Sequence, residues 1–143
     1  MMKKLLCLGL GSLTFLCFVA ADAADKSDVK IDVSKLPPVS SKQGVTYATD
    51  IKPIFDHSCI KCHGEKRHKA KLRLDSLEGA LKGGEDGKVI KPGDSAHSML
   101  VANVAHLGDE DDYMPPPDNH DNIKPLTKEQ IGLIRAWIDQ GAK

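Results

Sequence analysis

The sequence predicts a small all-α domain of about four short helices. Apolar residues recur at helical spacing near residues 49–59, 95–106 and 127–140, and a fourth segment, 75–82, opens with helix-capping residues. A chain of 143 residues has room for one such domain with extensions. Residues 29–33 alternate as a short edge strand would, but their polar surroundings favour a linker.

The N-terminus has the layout of an export signal. Lys3 and Lys4 precede an apolar stretch from 5 to 21, and Ala21-Asp22-Ala23 forms a small-residue cleavage site. We therefore expect a cleaved signal peptide over residues 1–23 and a periplasmic or secreted protein. The alternative is an uncleaved anchor, although the stretch falls short of the ~20 residues that a spanning helix needs.

Residues 24–44 are polar, contain a Pro-Pro pair, and are predicted to form a flexible linker. The folded domain is expected over 45–143. Its first helix, over about 49–59, can be capped by Thr49 or Asp50, and Pro53 lies in the first turns, where proline costs least.

The second and third helices are predicted from the capping residues at their starts. A basic loop over 64–74 leads to Asp75, the expected cap of a helix that stops at the glycine pair after Lys82. A third helix is expected from Asp94 or Ser95 to about residue 106.

The last helix follows a loop of about twenty residues, which is long enough to suggest a function. Thr127 and Gln130 form a capping box at its start, and Gly141 is expected to end it.

The chemistry of the chain is indicated by Cys59-Ile60-Lys61-Cys62-His63. The pattern C-x-x-C-H is the attachment signature of c-type haem, in which two thiols add to the porphyrin vinyl groups and the histidine binds iron. A structural zinc site would need a second ligand pair, and a thioredoxin-like pair should open a helix after a strand. We therefore expect one covalent haem c, held by Cys59 and Cys62, with His63 as proximal ligand.

Signal cleavage would remove Cys7 and Cys17 and leave only the two cysteines of the motif. It would also remove two basic residues and one acidic residue from 20 of each, so the mature chain is close to neutral. This balance gives no argument for nucleic acid or an anionic membrane as partner.

The sixth iron ligand is sought among two methionines and five further histidines. Met114 lies in a loop stiffened by the three prolines that follow it, and its soft thioether suits haem iron. Met99 fits the apolar pattern of the third helix and is interpreted as a core residue. The competing histidines are His57, His68, His97, His106 and His120. The last three leave a bis-histidine site open, and Met114 is preferred.

Several segments resemble the class I cytochrome c domain of the planctomycete type. They are residues 50–55, 59–64, 72–75, 83–84, 91–94, 98–100, 114–116 and 133–142. The resemblance covers about 47–143 and implies a small cytochrome c fold in which short helices surround one haem and the first and last helices pack together. It also implies His63 and Met114 as the two axial ligands. Such domains often stand at the N-terminus of larger secreted proteins, whereas this chain stops at Lys143.

The expected function is that of an exported single-haem electron carrier, and not an enzyme, with transient redox partner proteins and no membrane span after cleavage. A haem enzyme or a gas or redox sensor with an open distal site is the alternative, and a haem subunit docked on a dehydrogenase is another. Oligomeric state is left open by the sequence.

Overall fold

The computed structural model describes residues 32–143. The expected signal peptide and residues 24–31 of the expected linker lie outside the described residues. Within 32–143 the architecture is all-α, as predicted, with no β-strand and with five α-helices where about four were expected. The helices are α1 (Lys52–Ser58), α2 (Ile60–His63), α3 (Leu77–Lys82), α4 (Met99–Val104) and α5 (Lys128–Asp139).

Short helical turns of other types lie before and between these helices. A π-helical turn, Tyr47–Ile51, runs directly into α1, and short 3-10 turns occupy Val33–Lys35, Lys69–Lys71, Ser95–His97 and Glu110–Asp112. The third predicted helix is therefore divided into a 3-10 turn and α4, with Ser98 in extended conformation between them.

Two helix starts lie one to four residues away from the expected caps. The side chain of Thr46, rather than Thr49 or Asp50, caps the first helical segment by accepting from the Thr49 N–H. Ser76 caps α3 by accepting from the Gly79 N–H at 3.1 Å. The expected cap, Asp75, instead forms a salt bridge with Arg73 at 2.6 Å, and this competing partner explains the difference.

The start of α5 agrees with the sequence. Thr127 Oγ1 accepts from the Gln130 N–H at 3.3 Å, and Gln130 Oε1 accepts from the Thr127 N–H at 2.9 Å. Two otherwise unpaired N–H groups are satisfied by this capping box.

The first and last helices pack through an aromatic cluster. The Tyr47 ring lies 6.2 Å from Phe55 and 5.9 Å from Trp137, and the latter two rings meet edge to face at 6.3 Å. Phe55 and Trp137 are fully buried, and the Tyr47 hydroxyl donates to the Leu74 carbonyl at 2.9 Å. The expected contact between the terminal helices is thus made by α5 with the π-helical turn and α1.

Residues 36–45, which we call the strap, lie against α5. The Ser40 N–H donates to the Gly132 carbonyl at 3.0 Å. The Gln140 side chain donates to the Lys42 carbonyl at 2.8 Å and accepts from the Val45 N–H at 3.1 Å. The packed unit therefore extends beyond the expected boundary at residue 45, into the segment expected to be a flexible linker.

Candidate haem site

An open cavity lies between the attachment motif, α4 and the loop before α5. Its wall carries the four residues singled out by the sequence, Cys59, Cys62, His63 and Met114. Most of the remaining wall is apolar and includes Leu72, Leu74, Leu100, Val104, Ile123 and Leu126. A porphyrin needs such an apolar surface, since most of its area is hydrophobic.

The attachment motif is presented by one helical turn at the junction of α1 and α2. The Cys59 N–H donates to the Phe55 carbonyl at 2.8 Å, and the Cys59 carbonyl accepts from the N–H groups of Cys62 at 3.0 Å and His63 at 2.9 Å. Residues three and four apart share a helix face, so both sulfurs and the imidazole are directed to one side. This geometry is what a macrocycle bonded at two points and ligated at a third requires.

Both thiols are free, with no disulfide between them. Burial, and secondarily the neighbouring Cys62, raises the pKa of the Cys59 thiol to about 12. Cys59 is therefore an S–H group at neutral pH, the form that adds as a unit across a carbon–carbon double bond.

His63 is buried, with 7% of its surface exposed. Its buried Nδ1 has no hydrogen-bond partner among the described residues, so the ring has a nitrogen available to a metal. Burial lowers the pKa of His63, and the backbone of Leu72 and Lys69 opposes this effect. The ring is consequently neutral near pH 7, as metal ligation requires.

The glycine after His63 permits a close approach of two backbone segments. A Cβ atom on Gly64 would lie 2.5 Å from the Ile60 carbonyl oxygen, which is closer than real side chains come. The motif therefore needs glycine at this position for steric reasons alone.

Met114 reaches the same cavity from the loop between α4 and α5. Its N–H donates to the Asn103 carbonyl at 3.0 Å, which ties the loop to α4. The preceding residue, Tyr113, stacks flat on His106, with ring centroids 4.7 Å apart and planes 6° from parallel. Pro115 is buried, so three consecutive residues of the loop are fixed by packing or hydrogen bonding.

The other ligand candidates differ in their placement. Met99, expected in the core, is half-buried and lies on the cavity wall, because α4 starts at this residue and turns it toward the cavity. Among the described residues, His63 is the only histidine on that wall. His97 is exposed and paired with Asp94 at 2.8 Å, and His106 is held against Tyr113.

Two asparagines on the cavity wall were missed by the sequence reasoning. Asn103 contributes its carbonyl to Met114, and Asn119 binds main-chain groups within the same loop. The signal that could have identified Asn119 is its position after three prolines, where asparagine often organises a turn.

The donor set and the walls fit a covalently held haem: two free thiols and a neutral imidazole on one helical turn, an apolar cavity, and a thioether on another element. Over residues 32–143, no three His, Cys, Asp or Glu side chains form a cluster that could hold a metal ion, and no helix is long and apolar enough to cross a membrane.

The comparison with known families agrees with this site. Residues 59–118 match the family model described as planctomycete cytochrome C. The match includes the attachment motif, α3, α4 and Met114, and leaves α1 and α5 outside. No curated protein and no solved structure matches the chain.

Proposed function

Because the chain carries a planctomycete-type cytochrome c domain with covalently bound haem c, we propose that it is an exported single-haem electron carrier with His63 and Met114 as axial ligands. The family match indicates a haem-binding electron-transfer protein. The axial pair, the role of a mobile carrier and the export are the parts that we add.

When bound, haem c supplies an iron that gains and loses one electron. The thiols of Cys59 and Cys62 would hold the group covalently, as two thioethers. His63 supplies its imidazole from the same helical turn, and its burial keeps water from competing for it.

One observation carries the proposal: Met114 lies on the same cavity as His63, on a loop segment fixed through Asn103, Tyr113 and Pro115. A thioether held in this way can occupy the sixth position and favours the ferrous state. With both axial positions filled by protein, substrates such as peroxide are excluded from the iron, as suits a carrier and not an enzyme.

The decisive experiment is absorption spectroscopy of the ferric and ferrous protein. We expect low-spin haem with the weak near-infrared sulfur-to-iron charge-transfer band, lost in Met114→Ala. Met99→Leu is the matched control, and it matters because Met99 also lies on the cavity wall. We expect this variant to keep the band.

Two results would contradict the proposal. High-spin ferric iron in the wild type, with ready binding of carbon monoxide or peroxide, would favour the enzyme or sensor. Loss of the band in Met99→Leu, with retention in Met114→Ala, would exchange the roles of the two methionines.

Export is supported by the signal pattern of residues 1–23. It is also supported by the attachment motif, because c-type haem is generally attached outside the cytoplasm. We expect the mature protein to begin at Ala24 and to appear in the periplasmic or secreted fraction. N-terminal sequencing of the haem-bearing protein tests this, and a retained leader would favour the anchor.

Transient docking to redox partner proteins is supported by charges beside the cavity. Glu85, Asp86 and Asp112 are exposed residues on its wall, and Lys66 and Lys69 are exposed in the basic loop. Surface charges of this kind mainly change association rates and are screened by salt. Electron-transfer rates with charged redox partners should therefore depend on ionic strength, and a stable complex in native extracts would favour the dehydrogenase subunit.

A further inference from the structure

The loop that carries Met114 is closed by one side chain. Asn119 Nδ2 donates to the carbonyls of Pro116 at 2.8 Å and Ile123 at 3.1 Å, and its Oδ1 accepts from the Ile123 N–H at 2.7 Å. One half-buried amide thus links two points of the chain that are seven residues apart. All three bonds go to main-chain groups, so they fix the path of the loop itself.

Both ends of this closed loop lie on the cavity. Met114, Pro115 and Pro116 line it before Asn119, and Ile123 and Leu126 line it afterwards. Asn119 also lies on the wall, between the two ends. A link between the ends therefore fixes the wall segment that contains the thioether.

The tip of the loop makes a second, weaker contact. Asp121 lies 3.7 Å from Lys61, which stands between the two cysteines of the attachment motif. Both side chains are about half exposed, and pairs of this kind contribute little to stability. Backbone bonds from the Asn119 N–H to the Pro116 carbonyl at 3.1 Å and from the Asn122 N–H to the Asn119 carbonyl at 3.3 Å each close a short turn. The side-chain amide of Asn119 is the group that joins Pro116 to Ile123 across the loop.

We propose that Asn119 is a positioning residue that holds Met114 against the haem iron, an inference that rests on the proposed His63/Met114 ligation. Without the amide, Ile123 loses the partners of both its carbonyl and its N–H, and the Pro116 carbonyl keeps only the Asn119 backbone N–H at 3.1 Å. The loop therefore gains freedom at the end that follows Met114. The thioether then spends less time on the iron, and external ligands compete with it more readily. Haem attachment is retained, because Cys59 and Cys62 belong to another element.

The test is imidazole binding to the ferric, haem-loaded protein, followed through loss of the near-infrared band. We expect Asn119→Ala to bind imidazole about fivefold more tightly than the wild type, the change that corresponds to one net hydrogen bond. Asn119→Asp keeps the acceptor for the Ile123 N–H and removes both donors, so it should shift the affinity in the same direction. His120→Ala, the neighbouring exposed side chain, is the matched control and should leave the affinity unchanged.

The outcomes separate this role from the axial assignment. A wild type without the band, or a band that persists in Met114→Ala, would overturn the ligation and the positioning role together. A Met114-dependent band with wild-type imidazole affinity in both Asn119 variants would overturn the positioning role alone, even if the melting temperature fell. Failure of both variants to take up haem would also overturn it, since the attachment side should be unaffected.

Discussion

The contact between the strap and α5 can be tested by whether Gly132→Ala raises or lowers the free energy of unfolding. Gly132 lies inside α5, where alanine would ordinarily stabilise the helix by about 1 kcal/mol. A Cβ atom at this position would however lie 2.6 Å from the Pro38 carbonyl oxygen. Helix propensity and packing thus predict opposite effects of Gly132→Ala.

Packing should prevail. Relieving the contact requires a backbone shift, because the atom met is a main-chain oxygen, and overpacking of this kind costs about 1–3 kcal/mol. The same shift disturbs the 3.0 Å hydrogen bond from the Ser40 N–H to the Gly132 carbonyl, which contributes about 1 kcal/mol. After the gain in propensity, we expect a net loss of about 1–3 kcal/mol.

The measurement is chemical and thermal unfolding of the haem-loaded protein, followed by far-ultraviolet circular dichroism. The midpoint temperature of Gly132→Ala should fall by about 4 °C or more. In the control, residues 36–41 are replaced by a glycine–serine segment of equal length, and Gly132→Ala in that background should stabilise by about 0.5–1 kcal/mol. Stabilisation in the native background would refute the packing of the strap on α5.

Two further predictions concern buried polar groups. Burial, with smaller effects of the Asp56 and Asp75 carboxylates, raises the pKa of Tyr47 to about 12. Because the phenol of the unfolded chain loses its proton first, the free energy of unfolding should decline as pH rises from about 10. Denaturant titrations at pH 9 and 11 should show a smaller decline for Tyr47→Phe than for the wild type. An equal decline in the two proteins would contradict this. The Ser95 side chain, 1% exposed, donates to Asp139 at 3.0 Å and accepts from Arg135 at 3.2 Å. Ser95→Ala leaves these partners unsatisfied and should lower the free energy of unfolding by about 1–3 kcal/mol. The control Ser34→Ala, in an exposed turn, should be nearly neutral.

Features set by short-range rules were readable from the sequence. The attachment motif lies on one helical turn, so its spacing alone directs Cys59, Cys62 and His63 to one side. The capping box of Thr127 is equally local. The placement of Met114 on the cavity followed from the stiffness of the loop, while its bond to iron stays a prediction.

The features that escaped prediction depend on main-chain contacts or on competition between partners of one side chain. The strap binds α5 largely through backbone groups of Ser40, Lys42 and Val45. Every residue has such groups, so they leave no pattern in the sequence, and a polar segment with a Pro-Pro pair resembled a linker. Asp75 and Ser76 can both cap a helix, and the salt bridge of Asp75 with Arg73, two residues earlier, decides between them.

The same distinction implies that the fold and the proposed axial bond of Met114 can be perturbed separately. The strap, α5 and the aromatic cluster form a frame that fixes the π-helical turn and α1, and hence delivers Cys59 and His63. Met114 depends on a different set of contacts, through Asn103 and Asn119. Sites that share no partners give additive effects. Gly132→Ala should therefore lower the melting temperature without changing imidazole affinity, whereas Asn119→Ala should change imidazole affinity. The double variant should show both effects at full size. Coupling between the two would mean that the frame also controls the distal loop.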